Sequence, residues 1–253
     1  MHVEKISDHE QDFDNTGIDS DGKQHTLIRK AVEIFGEDSF MYYVETRPSS
    51  GDESYFYQSR VDKDQIVLHF TMGYLKGDIA TLTKADNHVS VPFLIGRNGT
   101  IYNLFSSYYW SYHLGPGAVG GNMERSQASI GIELSNIGPL KKIGDNLVNT
   151  YPAADVYCGL NQTEYYCANS FRGYDYFAGF TENQYTSLIT LLRYLTARYK
   201  IPREFQDEPQ RFETTPEVSG FKGIVSHVNY RASGKTDFGP CFDWNRVITG
   251  VKA

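Results

Sequence analysis

The chain has 253 residues, 40% of them hydrophobic and 14% aromatic, enough to bury one substantial core or a core with a small subdomain. Its 24 Lys and Arg stand against 31 Asp and Glu, a net charge of −7, and no segment gathers the basic residues into the stripe that a phosphate backbone requires, so nucleic acid is not an expected partner. No window approaches the roughly 18 uninterrupted apolar residues of a membrane span, and the acidic opening MHVEKISDHEQDFDNTGIDS lacks the apolar core of a secretory leader.

Residues 1–60 differ in texture from the rest and read as an N-terminal accessory segment. Within them, Leu27, Ile28, Ala31, Val32 and Phe35 fall on one face of a helix expected over His25–Phe35, which Gly36 is placed to end. The run RPSSGDE at Arg47–Glu53 reads as a loop, and a boundary is expected near residue 60.

From Ile66 onward the pattern is α/β. Ile66–Phe70 is a short apolar, β-prone run of the kind that forms a buried strand, and it carries His69 near its end. Val89–Ile95 and Thr100–Phe105 flank Asn98-Gly99, a pair that favours the positive φ angles of a tight hairpin. Ser129–Leu134, SIGIEL, is a second buried-strand candidate with one charge, Glu133. Residues Gly138–Gly179 are rich in Tyr and Asn, show no clear periodicity and read as a long surface loop of the sort often found over a site. The strongest helix follows. Its apolar positions Tyr185, Leu188, Ile189, Leu192, Leu195 and Tyr199 are opened by Thr181-x-x-Gln184 as a capping box and closed before Pro202. Gly223–Ser226 is a last short strand that delivers His227 to its carboxyl end.

Three cysteines, Cys158, Cys167 and Cys241, are too few for a disulfide framework. Cys158 and Cys167 lie nine positions apart and either staple a surface loop or remain free.

Of seven histidines, His69 and His227 directly follow apolar strand runs, and strand ends are where α/β sheets build their sites. Either one alone is more often a hydrogen-bonded structural residue. The segment after His227 adds Lys235, Asp237 and Cys241, and two histidines with one carboxylate or thiolate make a zinc site that keeps a position open for water. A solvated Lys–Asp loop with a buried cysteine fits the same spacing equally well. Glu133, a charge inside an apolar strand, is costly unless paired or poised for chemistry, with a structural salt bridge as the ordinary alternative.

Taken together, VLHFT, SVPFLIGRNGTIYNLF, SIGIELSN, FTENQYTSLITLLRYL and SHVNYRASGKTDFGPCFDW occur in the order found in type 2 N-acetylmuramoyl-L-alanine amidases, a family similar to phage endolysin amidases and peptidoglycan recognition proteins. The resemblance covers residues 61–253, apart from much of 138–179. It implies a central mixed β-sheet flanked by helices, hydrolysis of the amide between the lactyl group of N-acetylmuramic acid and L-alanine, and zinc held by His69, His227 and Asp237. It further implies Glu133 as general base, Lys235 as the group facing the oxyanion, and His113, in WSYHLGPGAVGG, as a substrate contact. Two departures stand out. Asp237-Phe-Gly-Pro replaces the usual Asp-Pro-Gly-Pro, which changes the stiffness of the ligand's turn; and Cys241, fourteen residues after His227, lies beyond the spacing of members with a cysteine ligand, whereas Asp237 at ten matches the carboxylate subgroup. The partner so implied is peptidoglycan or a muropeptide. The place of action is the wall side, periplasmic, secreted or phage-released, with cytoplasmic recycling as the alternative that the missing leader leaves open. Some members of the superfamily only bind the polymer, having lost a ligand; here the full set of positions is present.

Overall fold

The computed structural model describes residues 1–151 and 155–253. In chain order it begins with α1 (Ile6–Thr16), β1 (His25–Glu33), β2 (Phe40–Pro48), β3 (Gln65–Phe70), α2 (Leu75–Leu82), β4 (Phe93–Ile95) and β5 (Ile101–Asn103). There follow α3 (Asn122–Ala128), β6 (Ser129–Leu134), and a run of five strands: β7 (Pro139–Ile143), β8 (Asn146–Asn149), β9 (Val156–Gly159), β10 (Tyr166–Phe171) and β11 (Tyr174–Ala178). The chain closes with α4 (Glu182–Tyr199), β12 (Gly223–Ser226), the single turn α5 (His227–Tyr230) and α6 (Trp244–Lys252).

Among the described residues the strands form two sheets. The larger is mixed, in the order β1-β2-β5-β4-β6-β3-β12, and the smaller runs β10-β11-β7-β8-β9. At one end of the large sheet β6, β3 and the edge strand β12 are parallel neighbours, with Ile66 opposite both Ile130 and Ile224. Their near-continuous Val, Ile and Leu content is what a strand covered on both faces requires. Side chains alternate across the pleat, so Ile66, Leu68, Ile130 and Ile132 meet the buried Leu188, Leu191, Leu192 and Leu195 of α4. Each leucine removed from water there contributes about 2 kcal/mol. Phe13 of α1 and Leu75 and Ile79 of α2 cover the opposite face near β4 and β5. The expected capping box is present on α4, with Thr181 Oγ1 accepting from the Gln184 backbone and Gln184 returning a bond to Thr181. The expected hairpin is β4–β5, closed through Gly99 at φ +88°.

Two sequence expectations are corrected. His25–Glu33 is a strand, not a helix, paired over its whole length with Phe40–Pro48. Its apolar residues have helical spacing, but the β-branched Thr26, Ile28 and Val32 find cross-strand partners that an isolated helix would lack; Gly36, at φ +82°, turns the hairpin rather than capping a helix. This hairpin extends the large sheet through β2 against β5, so residues 1–60 add to its edge. The second correction concerns residues 138–179. Apart from 152–154, which lie outside the described residues, they form the five-stranded sheet rather than an irregular loop. One face of that sheet holds Leu140, Leu147, Tyr157 and Cys158 against Val3 and Ile6.

Cys158 is buried and free, and the disulfide joins Cys167 of β10 to Cys241. The Cys158–Cys167 staple considered from spacing is therefore not formed. No helix among the described residues is long and apolar enough to cross a membrane.

Candidate metal centre

Register brings the key residues together. His69 on β3 is the direct partner of Glu133 on β6, and Ser226 on β12 pairs with Leu68, so Glu133, His69 and His227 stand side by side at the carboxyl ends of three adjacent parallel strands. The same alternation that sends Leu68 and Ile132 into the α4 core turns His69 and Glu133 to the opposite face. Asp237 reaches this face from the segment between α5 and α6.

His69 Nδ1 lies 2.8 Å from His227 Nδ1, and Asp237 Oδ2 is 3.0 Å from the latter and 3.4 Å from the former. All three residues are buried, and their donor atoms lie within 4.8 Å of one another. Ligand atoms of a tetrahedral zinc site with bonds near 2.1 Å are ~3.4 Å apart, so the three atoms lie close enough together to share one such ion. Protonation states agree. Ser129 donates its hydroxyl hydrogen to the Arg125 carbonyl and so accepts from His113 Nε2 at 3.0 Å. That leaves His113 Nδ1 as a lone pair, which accepts from His69 Nε2 at 3.0 Å, and the lone pair of His69 is left on Nδ1, aimed at the cluster. His227 is set the same way, its Nε2 donating to the Leu114 carbonyl at 2.9 Å. Outer partners of this kind fix the tautomers that metal-binding imidazoles need.

Electrostatics follow from burial. His69 is pushed down to about 4 by burial and then by His227, which keeps it neutral. Burial opposes ionisation of Asp237, but His227 and His69 outweigh it and hold the carboxyl below its ordinary value. Glu133 goes the other way: burial first, then the charge of Asp237, raises it well above the usual carboxylate range, against the pull of Lys235. Its Oε2 is buried without a hydrogen-bond partner among the described residues. The residue as a whole is half-buried, so the carboxyl is only partly withdrawn from water, and an unpartnered buried carboxyl oxygen marks a candidate functional group.

The sequence-derived candidates thus fall into three groups. His69, His227 and Asp237 meet at one point. Glu133 and Lys235 border it, Lys235 half-buried and close enough for its charge to bear on both His69 and Glu133. His113, the expected substrate contact, has both ring nitrogens hydrogen-bonded within the chain, one to His69 and one to Ser129. Gly131 makes this arrangement possible, since a Cβ there would come within 3.2 Å of the His113 ring and 2.5 Å of Val91. Cys241, the alternative ligand, is spent in the disulfide. Phe238 is fully buried among Phe70, Phe180, Phe242 and Trp244, so packing anchors this turn.

Sequence reasoning missed Ser129 and Asp78. Asp78 of α2 is buried and accepts from Ser135 at 2.6 Å and from Thr71. These two residues lie two positions beyond Glu133 and His69, so one carboxyl ties the two strand ends together. Nothing local marks it. Ser129 was legible only as a strand residue, because its role depends on a ring arriving from elsewhere in the chain.

A family model described as N-acetylmuramoyl-L-alanine amidase matches residues 58–240. The N-acetylmuramoyl-L-alanine amidase AmiD of Escherichia coli (strain K12) is 27% identical over 187 residues, which make up 72% of this chain and 51% of that protein; the chain thus spans about half the length of that curated relative. Among solved structures, the complex of E. coli AmiD with the substrate anhydro-N-acetylmuramic acid-L-Ala-D-gamma-Glu-L-Lys is 24% identical, with a TM-score of 0.47, covering 77% of this chain and 60% of that one. A Se-Met AmpD derivative is 21% identical, with a TM-score of 0.46, covering 75% and 85% respectively.

Proposed function

The chain belongs to the N-acetylmuramoyl-L-alanine amidase family, and from that premise we propose that it is a zinc hydrolase cutting the amide between the lactyl group of N-acetylmuramic acid and L-alanine. The observation that carries this reading is the convergence of two imidazole nitrogens and one carboxylate beside a glutamate whose buried Oε2 has no partner among the described residues. His69, His227 and Asp237 would hold the ion. When bound, zinc supplies a Lewis acid that polarises the scissile carbonyl and lowers the pKa of a water molecule.

The remaining steps belong to the chain. Glu133 accepts a proton from the water that attacks the carbonyl carbon, for which its unpartnered Oε2 suits it. As the carbon–nitrogen bond breaks, Glu133 returns that proton to the departing L-alanine nitrogen, because an amide nitrogen leaves poorly as an anion. Lys235 faces the negative charge that develops on the carbonyl oxygen. His113 orients His69. The catalytic unit we assign is residues 61–253, with 1–60 as an accessory segment, and the family match beginning at residue 58 supports that boundary. The proposed place of action is peptidoglycan or its muropeptide fragments, on the wall side of the membrane.

Purified sacculi incubated with the zinc-loaded protein and analysed by mass spectrometry test the reading. Stem peptides beginning with L-alanine should be released, and chelation should stop their release. Unchanged sacculi with the protein bound to them would replace the hydrolase by a binding module.

A further inference from the structure

Two of the three proposed ligands stand on regular elements, His69 within β3 and His227 at the first position of α5. Asp237 does not. It lies with Lys235 in the segment 231–243, which has only bends and turns, so something outside that segment must fix its position. We propose that the β10–β11 hairpin of the second sheet does so, with Arg172 as a positioning residue for the metal centre. This rests on the zinc hydrolase reading above.

Three contacts of the hairpin bracket Asp237. Before it, Arg172 Nη1 donates to the carbonyls of Arg231 at 2.6 Å and Lys235 at 2.9 Å, while Nη2 donates to Val228 O at 3.2 Å and Thr214 Oγ1 at 3.3 Å. One planar fork therefore holds both the start of the segment and the residue two positions from the ligand, which a single ammonium cannot do. Two positions after Asp237, Gly239 packs against the Phe171 ring, where a Cβ would come within 2.4 Å. At the far end, Cys241 is bonded to Cys167. Turn geometry does not ask for this arginine. Arg172 and Gly173 form the two-residue loop between the paired Phe171 and Tyr174, both at positive φ, +47° and +87°, and such loops favour Asn and Gly over residues with long side chains. Its guanidinium is also drawn in against the cost of burial, with Asp237 offsetting that cost.

Arg172→Ala and Arg172→Lys are compared with the wild-type protein. Zinc affinity is measured by competition with a chromophoric chelator, hydrogen exchange of residues 231–237 on the metal-free protein, and kcat and KM on a soluble muropeptide. Arg172→Ala should hold zinc roughly 10–100-fold more weakly, exchange faster in 231–237 but not in β3 or β12, and lose kcat with little change in KM. Added guanidinium ion should restore part of the affinity. Arg172→Lys should fall between the two, and it carries the test where the alanine variant does not fold. Unchanged exchange and zinc affinity in a folded variant would overturn the inference. A wild-type protein that binds no zinc would overturn the hydrolase reading instead, and the exchange of the metal-free segment would still decide the role of Arg172.

Discussion

The parallel strands β6 and β3 are buried along nearly their whole length, whereas β10 of the second sheet exposes three of its six residues. The first region holds its functional atoms through its own packing. A histidine on β3 cannot move without disturbing Leu68 and the α4 leucines packed beneath it. The second region has a small core and no proposed ligand, yet its hairpin touches the segment that carries Asp237 and Lys235 at three points. Proton chemistry is thus assigned to the centre and loop posture to the flank, and the two assignments should separate under substitution.

The largest effect is expected at the centre. Glu133→Gln keeps the size of the side chain but cannot accept a proton, so turnover should fall by roughly 10²–10⁴-fold. Zinc content, measured by atomic emission on the same sample, should stay at the wild-type level. Full turnover would remove the general-base role; lost zinc would show that Glu133 holds the site together rather than acting in it.

Asp78 is next. Burial pushes its pKa up to about 7, with Ser135 and Thr71 pulling the other way. The folded protein therefore keeps a proton that the unfolded chain sheds near pH 4, and stability should fall as pH rises between about 4 and 7, by on the order of 4 kcal/mol, then level off. Asp78→Asn should flatten that part of the slope in denaturant titrations across the window. A parallel slope in the variant would place the titration elsewhere. The carboxyl that burial titrates in this way also joins the ends of β3 and β6 through Ser135 and Thr71, so the centre carries a cost that the flank does not.

Legibility in the sequence follows the same division. Ile66–Phe70 and SIGIEL were readable because burial on both faces leaves an unbroken apolar run, and a charged or imidazole side chain within such a run stands out. Strands β7 to β11 were not, since a sheet with one covered face and a small core fills its other positions with Tyr, Asn and Lys, much as a loop does. The sequence did carry one overlooked signal there: Gly173 between two aromatic, β-prone runs marks a turn. The Cys167–Cys241 bond spans 74 residues, and no spacing rule reaches that far. His25–Glu33 failed for another reason, as its apolar positions have helical spacing and only pairing with Phe40–Pro48 makes it a strand. His113 was legible as a site residue, but its function depends on which rings it meets.

Paired core truncations sharpen the contrast in stability. Leu68 in β3 and Leu147 in β8 are both fully buried, but Leu68 belongs to the large cluster around α4 and Leu147 to the small one at the flank. A cavity at the centre has rigid walls, while the flank can partly collapse, so Leu68→Ala should cost about 4 kcal/mol and Leu147→Ala about 2 kcal/mol in chemical unfolding. Equal losses would mean that the second sheet is as tightly built as the first.

The smallest effect lies at the seam. Thr181 follows the last strand of the second sheet by three residues and caps the main helix of the first, and its hydroxyl both accepts from the Gln184 backbone at 3.1 Å and donates to the Arg97 carbonyl at 2.6 Å. Arg97 in turn donates to Gly179 O at 3.0 Å, closing a short circuit between the β4–β5 turn, the end of β11 and the start of α4. Thr181→Ala removes the cap and should cost about 1 kcal/mol, which Thr181→Ser should largely restore. Because the circuit is far in sequence from the 231–243 segment, zinc affinity should not change. A parallel loss of zinc affinity in Thr181→Ala would mean that the flank steers the metal centre through α4 as well as through Arg172, and the division of labour between the two sheets would have to be redrawn at this residue.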